Sequence, residues 1–317
     1  MTSPDIKRKA RELGFDLCGI APAGDLPELT FFQTWLARGY AGEMAYLNRS
    51  ADERADVRRI LPSAQSVIVT GTIYNTAVPY STESADPGRA HIARYAWGDD
   101  YHDVIGARLD ALLAWMRDQS PQPFDARAYV DTGPVQERVY AQHGGVGWIG
   151  KNTCVINPEA GSWIFLAEII CSLPLEPDQP ALDQCGTCTL CIDACPTRAL
   201  VAPGVLDSTK CISYLTIEQR GPIPEEFVAA VGSHVYGCDV CQEVCPWNQM
   251  PPSSSDPAWQ PRSVWANADV STLAAMADDD LREAIRGSAM RRTKVAGLRR
   301  NLAVARMNAE KTAERRR

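Results

Sequence analysis

Eight of the eleven cysteines in this 317-residue chain fall where thiolates could hold iron. Cys185-Gly-Thr-Cys188-Thr-Leu-Cys191-Ile-Asp-Ala-Cys195-Pro196 has the C-x2-C-x2-C-x3-C-P spacing of bacterial-type ferredoxins. Cys238-Asp-Val-Cys241-Gln-Glu-Val-Cys245-Pro246 keeps the last three cysteines of that pattern, and Cys211 stands upstream where a displaced first ligand could sit. Closely spaced thiolates in a turn can meet three corners of one iron–sulfur cube, and in two-cluster ferredoxins the fourth cysteine of each run crosses to the other cluster. The expected ligand sets are Cys185, Cys188, Cys191 and Cys245 for one 4Fe-4S cluster, and Cys195, Cys211, Cys238 and Cys241 for a second. Pro196 and Pro246 redirect the chain after each crossing ligand. A zinc ribbon needs four ligands and leaves four cysteines idle, while a disulfide framework needs an oxidising compartment. Cys18, Cys154 and Cys171 lie in strand-like apolar runs and read as small buried side chains.

The elements that must position these groups alternate between strand and helix over the first 170 or so residues, which predicts an α/β sandwich. Asp5 to Leu13 reads as a helix stopped by Gly14, and Phe15 to Ile20 as a strand. Leu29, Phe32, Trp35 and Leu36 recur at helical spacing. Ser66 to Tyr74 is rich in β-branched residues and predicts a buried central strand. Val104 to Met116 carries a second apolar helical face, and Ala126 to Val130 is the next strand. After Asp131-Thr-Gly-Pro134 a helix is expected over Val135 to His143, with Pro134 at its first position. The glycines of Gly144-Gly145-Val-Gly147-Trp148-Ile-Gly150-Lys151-Asn152 could let backbone approach a bulky ligand closely, although this is no Walker motif. Thr153 to Ile156 and Ser162 to Cys171 read as a hairpin. The chain divides into 1–175, a ferredoxin-like segment 176–255, and a helical segment 256–317.

Composition is that of an ordinary soluble protein, with 45% hydrophobic and 22% charged residues. No apolar run approaches the roughly 20 residues of a membrane span, and the polar start has no signal-peptide core, so a cytoplasmic protein without membrane contact is expected. The net charge of −7 is uneven: Arg282 to Arg317 holds twelve Lys/Arg and three Asp/Glu, leaving −16 on the rest. Such a tail could track a phosphate backbone or be a solvated terminal helix. Val295, Leu298, Leu302 and Ala305 give it one apolar face.

Clusters carry single electrons, and no G-x-G-x-x-G opens a helix after the first strand to bind nicotinamide or flavin. Five strings instead resemble epoxyqueuosine reductase: Ala93-Arg-Tyr-Ala-Trp-Gly-Asp-Asp-Tyr-His102, Val130-Asp131-Thr-Gly-Pro-Val-Gln-Glu137-Arg, Gly147-Trp-Ile-Gly-Lys-Asn152, Cys211-Ile-Ser-Tyr-Leu-Thr-Ile-Glu218 and Tyr236-Gly-Cys-Asp-Val-Cys-Gln-Glu-Val-Cys-Pro-Trp247. The resemblance runs in order from about Arg54 to Asn308. It implies a tRNA-modifying oxidoreductase that reduces the epoxide of epoxyqueuosine at the wobble position to queuosine, with electrons passing from two 4Fe-4S clusters to a base-off cobalamin.

The same resemblance implies that Asp131 supplies a proton, from a carboxyl whose pKa burial against the corrin would raise; on local sequence alone Asp131 could equally cap the following helix. It implies cobalamin contacts at Arg54, Tyr95, Asp131, Asn152, Ser213, Gly237 and Cys238, with Asp100, Tyr101 and His102 in family-like strings. Asp100-Tyr-His102-Asp-Val-Ile-Gly106 has one residue too many for the histidine-on-cobalt signature, so an unligated lower face is expected. The implied fold is a cobalamin-binding sandwich over 1–175, then the two-cluster domain, then a partial HEAT-like repeat. The implied partners are the anticodon stem-loops of queuosine-family tRNAs and an external electron donor such as a flavodoxin or ferredoxin, acting on a monomer. A cobalamin-dependent reductive dehalogenase or other small-molecule reductase would share the clusters and corrin pocket but has no use for a basic tail. A plain electron carrier would not need the large amino-terminal domain.

Overall fold

The structure is a computed structural model that describes residues 1–84, 86–266 and 268–315. Residue 267 and the last two arginines of the basic segment 256–317 lie outside the described residues. Helix α1 (Ser3–Glu12) has its first turn fixed by Asp5, whose carboxylate accepts from the Thr2 amide at 3.0 Å, and it stops before Gly14. Strands β1 (Leu17–Pro22) and β2 (Ser66–Ile73) follow, then helix α2 (Tyr101–Gln119), strand β3 (Ala126–Tyr129), helix α3 (Glu137–His143) and strand β4 (Ile164–Cys171). The sheet order is β1-β2-β4-β3 and every neighbouring pair is antiparallel. The sandwich is therefore of the α+β kind, with β2 central as its β-branched sequence predicts.

Side chains alternate across the sheet. Ile20, Ile68, Phe165, Ala167 and Ile169 pack with α1 and α2 through Ile6, Ile105, Leu109 and Leu112. On the other face Val67, Val69, Leu166 and Ile170 pack with Val139, Tyr140 and Ala141 of α3. β1 crosses so close to the end of α3 that a methyl group at Gly19 would sit inside the carbonyl of Gly144.

Three sequence expectations shift. Val155–Ile156 pairs with Trp148–Ile149, not with the strand after it, which is paired along its whole length with β2 and over Glu168–Cys171 with β3. Helix α3 starts at Glu137, since the chain must first turn through Asp131 at φ 57° and Pro134. The glycines of 144–150 serve close packing, with Gly147 against the Ile156 carbonyl and Gly150 against the Ile156 side chain, so a ligand need not explain them.

The ferredoxin-like segment has two short helices, α4 (Leu190–Asp193) and α6 (Val240–Glu243), which pack on each other, with α5 (Ile212–Ile217) between them in sequence. Contacts stitch this segment to both flanks. His91–Ile92 runs parallel to His234–Tyr236. Glu243 accepts from the Ser81 amide and hydroxyl at 2.8 Å each, and Asp239 accepts from the Arg94 amide at 2.6 Å.

Helix α7 (Lys294–Arg315) is no detached tail: Leu298, Leu302 and Ala305 are fully buried, and the Asn301 amide donates to the carbonyls of Thr216 and Val235 at 2.8 Å. Much of the positive charge of this helix and of the turn before it is committed to the fold. Arg300 donates to the Leu215, Gln219 and Gly221 carbonyls, Arg299 pairs with Asp278, and Arg292 forks onto Glu218 at 3.0 Å. Among the described residues no helix is long and apolar enough to cross a membrane.

Candidate functional site

A cavity of about 1090 Å³ lies between the sheet domain and the cysteine-bearing segment. Phe32, Trp35 and Tyr46 wall one side, Tyr101, His102 and Asp131 another, and Ser208, Ile217, Glu218 and Tyr236 the side nearest the cysteines.

The acidic corner is built by local geometry. Asp100 caps α2, accepting from the His102 amide at 3.2 Å, which puts Tyr101 and His102 in the first turn facing the cavity. The same carboxylate holds His102 Nδ1 at 2.7 Å. Asp131 follows β3 in the left-handed region, sparsely populated by residues other than glycine and a recurrent mark of functional loops. Its Oδ2 accepts from the Tyr101 hydroxyl at 2.9 Å and lies 3.4 Å from His102 Nε2. The Tyr101 ring is fixed by stacking on Phe165, 4.5 Å between centroids at 7°, and on His102 at 4.1 Å.

Electrostatics assign the protons differently from the sequence expectation. Burial pushes the Asp131 carboxyl up, but hydrogen bonds from His102 and Tyr101 outweigh it and hold the group below its ordinary value. The rise expected for Asp131 is one that burial against the corrin would bring; in the protein alone these hydrogen bonds set the direction. Burial opposes the charge of His102, yet hydrogen bonds to Asp100 and Asp131 prevail and lift it to about 9. Two neighbouring carboxyls are raised, Glu137 in the cavity lining and Glu168 in the sheet. Burial, with the charge of Asp131 added, pushes Glu137 up to about 8. Burial, then Glu137 and Asp131, push Glu168 well above the carboxylate range. Glu168 sits opposite Tyr129 in the sheet, 1% exposed, with Oε2 lacking any partner.

A carboxyl that is protonated more readily folded than unfolded loses the fold stability as pH rises. For Glu137 that window runs from its unfolded value, about 4.3, to its folded value of about 8. Glu137→Gln is expected to flatten the fall in unfolding free energy across this window by about 1–3 kcal/mol, measured by urea titration at pH 5, 6.5 and 8. Parallel wild-type and variant curves would refute it.

Of the expected cobalamin contacts, Arg54, Tyr95 and Asp131 line the cavity. Arg54 donates to the Val135 carbonyl at 2.8 Å and Tyr95 bonds the Tyr236 hydroxyl at 3.3 Å. Asn152, Ser213, Gly237 and Cys238 are not among its lining residues. Asn152 instead spans from the Cys241 carbonyl to the Cys154 amide, and Gly237 leaves room for Ala93.

All eleven cysteines are free, and the eight in the two runs and at 211 fall into neighbourhoods. Burial, then Cys245, Cys185 and Cys188, push the Cys191 thiol up. Burial, then Cys211 and Cys195 among others, push Cys238 well up, and Cys241 is raised by burial with Cys238 and Cys211 nearby. Cys154 lies in a bend before Val155 and not in a strand; burial lifts it to about 11, and Cys245 and Cys191 add to this. The aromatic wall and Glu168 were not singled out from sequence. A lone carboxylate inside Ile-Phe-Leu-Ala-Glu-Ile-Ile-Cys was the available signal for Glu168.

Comparison with known proteins gives two family matches: residues 184–248 match a 4Fe-4S double cluster binding domain, and residues 54–132 match the family described as Epoxyqueuosine reductase QueG, DUF1730. An epoxyqueuosine reductase of Gloeobacter violaceus is 45% identical over 307 residues, covering 95% of this chain and 94% of the relative. A crystal structure of epoxyqueuosine reductase with an epoxyqueuosine-modified tRNA-Tyr stem loop superposes with a TM-score of 0.86 at 30% identity, covering 98% of this chain and 82% of that one. A Bacillus subtilis epoxyqueuosine reductase, described with its catalytic aspartate loop swung out of the active site, gives 0.84 at 30% identity over the same shares.

Proposed function

The chain belongs to the epoxyqueuosine reductase family and is a tRNA-modifying oxidoreductase with a double-cluster 4Fe-4S domain; from this we propose that it converts epoxyqueuosine to queuosine at the tRNA wobble position with cobalamin in the large cavity. The observation that carries the reading is that one cavity is lined by Asp131, Tyr101 and His102 together with Ser208 and Ile217, which flank Cys211 in the chain, and Tyr236, two residues before Cys238.

The cavity exceeds the roughly 300–1,000 Å³ of ordinary small-molecule sites, which suits a tetrapyrrole-sized ring with a nucleoside beside it, and its aromatic wall suits both. Arg54, Tyr95 and Asp131 would face that ring. The eight thiols fit two cubes: Cys185, Cys188, Cys191 and Cys245 would hold an outer cluster, and Cys195, Cys211, Cys238 and Cys241 an inner one beside the cavity. When bound, the clusters would supply single electrons and cobalamin the strongly reducing centre facing the epoxide.

Opening the epoxide to an alkene consumes two electrons and two protons and releases water. At neutral pH the His102–Asp131 pair keeps its proton on the imidazole. Negative charge developing on the leaving oxygen would draw that proton through Asp131, which delivers it, while Tyr101 holds the carboxylate in place. Arg49 and Arg138 line the cavity and would meet the phosphates of the anticodon arm. Arg49 is exposed; Arg49→Ala is expected to weaken tRNA binding and to reduce the slope of log K against log salt by about 0.7–0.9. An unchanged slope would remove it from the interface.

Anaerobically reconstituted protein assayed on tRNA from a strain lacking it tests the whole reading. Queuosine should appear at the expense of epoxyqueuosine. Protein that binds iron and corrinoid yet leaves the epoxide intact would sink the reading.

A further inference from the structure

We propose that the surface over the outer cysteine set, carrying Leu182, Leu190 and Met250, is the docking face for a small one-electron carrier protein. The inference rests on the reading of the cysteines as cluster ligands and concerns where electrons enter.

Among the described residues the exposed large apolar side chains are Phe31, Leu182, Leu190, Val201 and Met250. Phe31 lines the large cavity. Three of the other four bracket a single cysteine set: Leu182 precedes Cys185 by three residues, Leu190 lies between Cys188 and Cys191, and Met250 follows Cys245 by five. Leu182 is 80% and Met250 95% exposed. The chain on both sides leaves from one packed cluster, in which Ala181, Cys185, Cys245 and Trp247 meet Trp148 and Ile156. Isolated surface leucines are ordinary, but exposed large apolar side chains that flank the ligands of one cysteine set, on chain leaving one packed cluster, suit an interface.

Depth separates this set from the other. Asp183, Gln184, Gly186, Thr187 and Thr189 around Cys185 and Cys188 are all exposed, whereas Gly237, Asp239 and Val240 around Cys238 are all buried. Electron transfer falls steeply with distance, so an external donor must approach the outer set. Lys151 ties this loop down, donating to the Gly186 carbonyl at 2.6 Å and the Cys188 carbonyl at 2.8 Å.

The charges of the same loops balance, Asp183 and Asp193 against Lys151 and Arg198. A balanced rim around an apolar centre suits a transient protein complex held by burial. A membrane surface or a nucleic acid would call for a basic rim, and a second copy of this chain would bring no electrons. The step itself is simple: the reduced carrier gives one electron to the oxidised outer cluster, with no bond made or broken and no proton moved.

The test uses the full chain with both clusters loaded and compares wild type with Leu182→Asp/Met250→Asp, two positions away from the ligands. Stopped-flow bleaching of the cluster absorbance is followed with photoreduced flavodoxin and, separately, with dithionite, which needs no docking face. Carrier-driven reduction should slow by about tenfold or more, with dithionite-driven reduction and iron content unchanged. The carrier-driven rate in wild type should vary little with salt. A carrier-driven rate at the wild-type value, rates that fall alike with both reductants, or a steep salt dependence would each overturn the docking face. If the double variant loses iron, Leu182→Asp alone decides the same comparison. Wild-type clusters that neither reductant bleaches would instead overturn the electron-transfer reading beneath it.

Discussion

Asp131→Asn protein that retains its iron should turn over about 10²–10⁴-fold more slowly than wild type, the usual loss when a positioned proton donor is removed. Asparagine tolerates the left-handed backbone that Asp131 adopts at φ 57°, so the loop should keep its shape and the loss should be chemical. A second readout separates this from simple misplacement. His102 is lifted to about 9 partly by Asp131, so removing that charge should lower the imidazole pKa, seen directly by NMR and as a shift in the pH–rate profile. Normal turnover in Asp131→Asn would remove this residue from the reaction.

Cys241→Ser should abolish electron-driven turnover while leaving the outer set able to bind iron. Iron content is expected to fall from about eight to about four per chain, with one EPR signal lost. Cys241 neighbours Cys238 and Cys211, and on the proposed route, with that set as the inner cluster, losing it would cut the last step. Cys191→Ser should also halve the iron, but through the other set, because Cys191 neighbours Cys185, Cys188 and Cys245. If Cys241→Ser still held eight irons, or still turned over, the assignment of sets would fall.

Cysteine spacing gave the two neighbourhoods because a short turn leaves thiols little freedom. The central strand was legible because Ser-Val-Ile-Val-Thr-Gly-Thr-Ile is β-branched and its residues are nearly all buried. The sheet's antiparallel order was not legible, since alternating strand and helix patterns carry no direction. The glycines of 144–150 were legible only in part: glycine marks close approach but not of what, and among the neighbours are β1 and the strand at 155–156. The hydrogen bonds that hold Asp131 down were not legible, because Tyr101 and His102 lie thirty and twenty-nine residues away in sequence. The charge count of residues 282–317 overstated what is free for a ligand, as Arg292, Arg299 and Arg300 are spent on Glu218, Asp278 and backbone carbonyls.

The pairing of His91–Ile92 with His234–Tyr236, joined by Glu243 holding Ser81 and Asp239 holding Arg94, bears on how such a chain could be taken apart. Residues 176–255 produced alone would expose a strand edge and two buried acids without their donors, and should come out insoluble even when supplied with iron and sulfide. The wiring is no cassette: it cannot be borrowed by another scaffold, and the two halves must be inherited, and must drift, together.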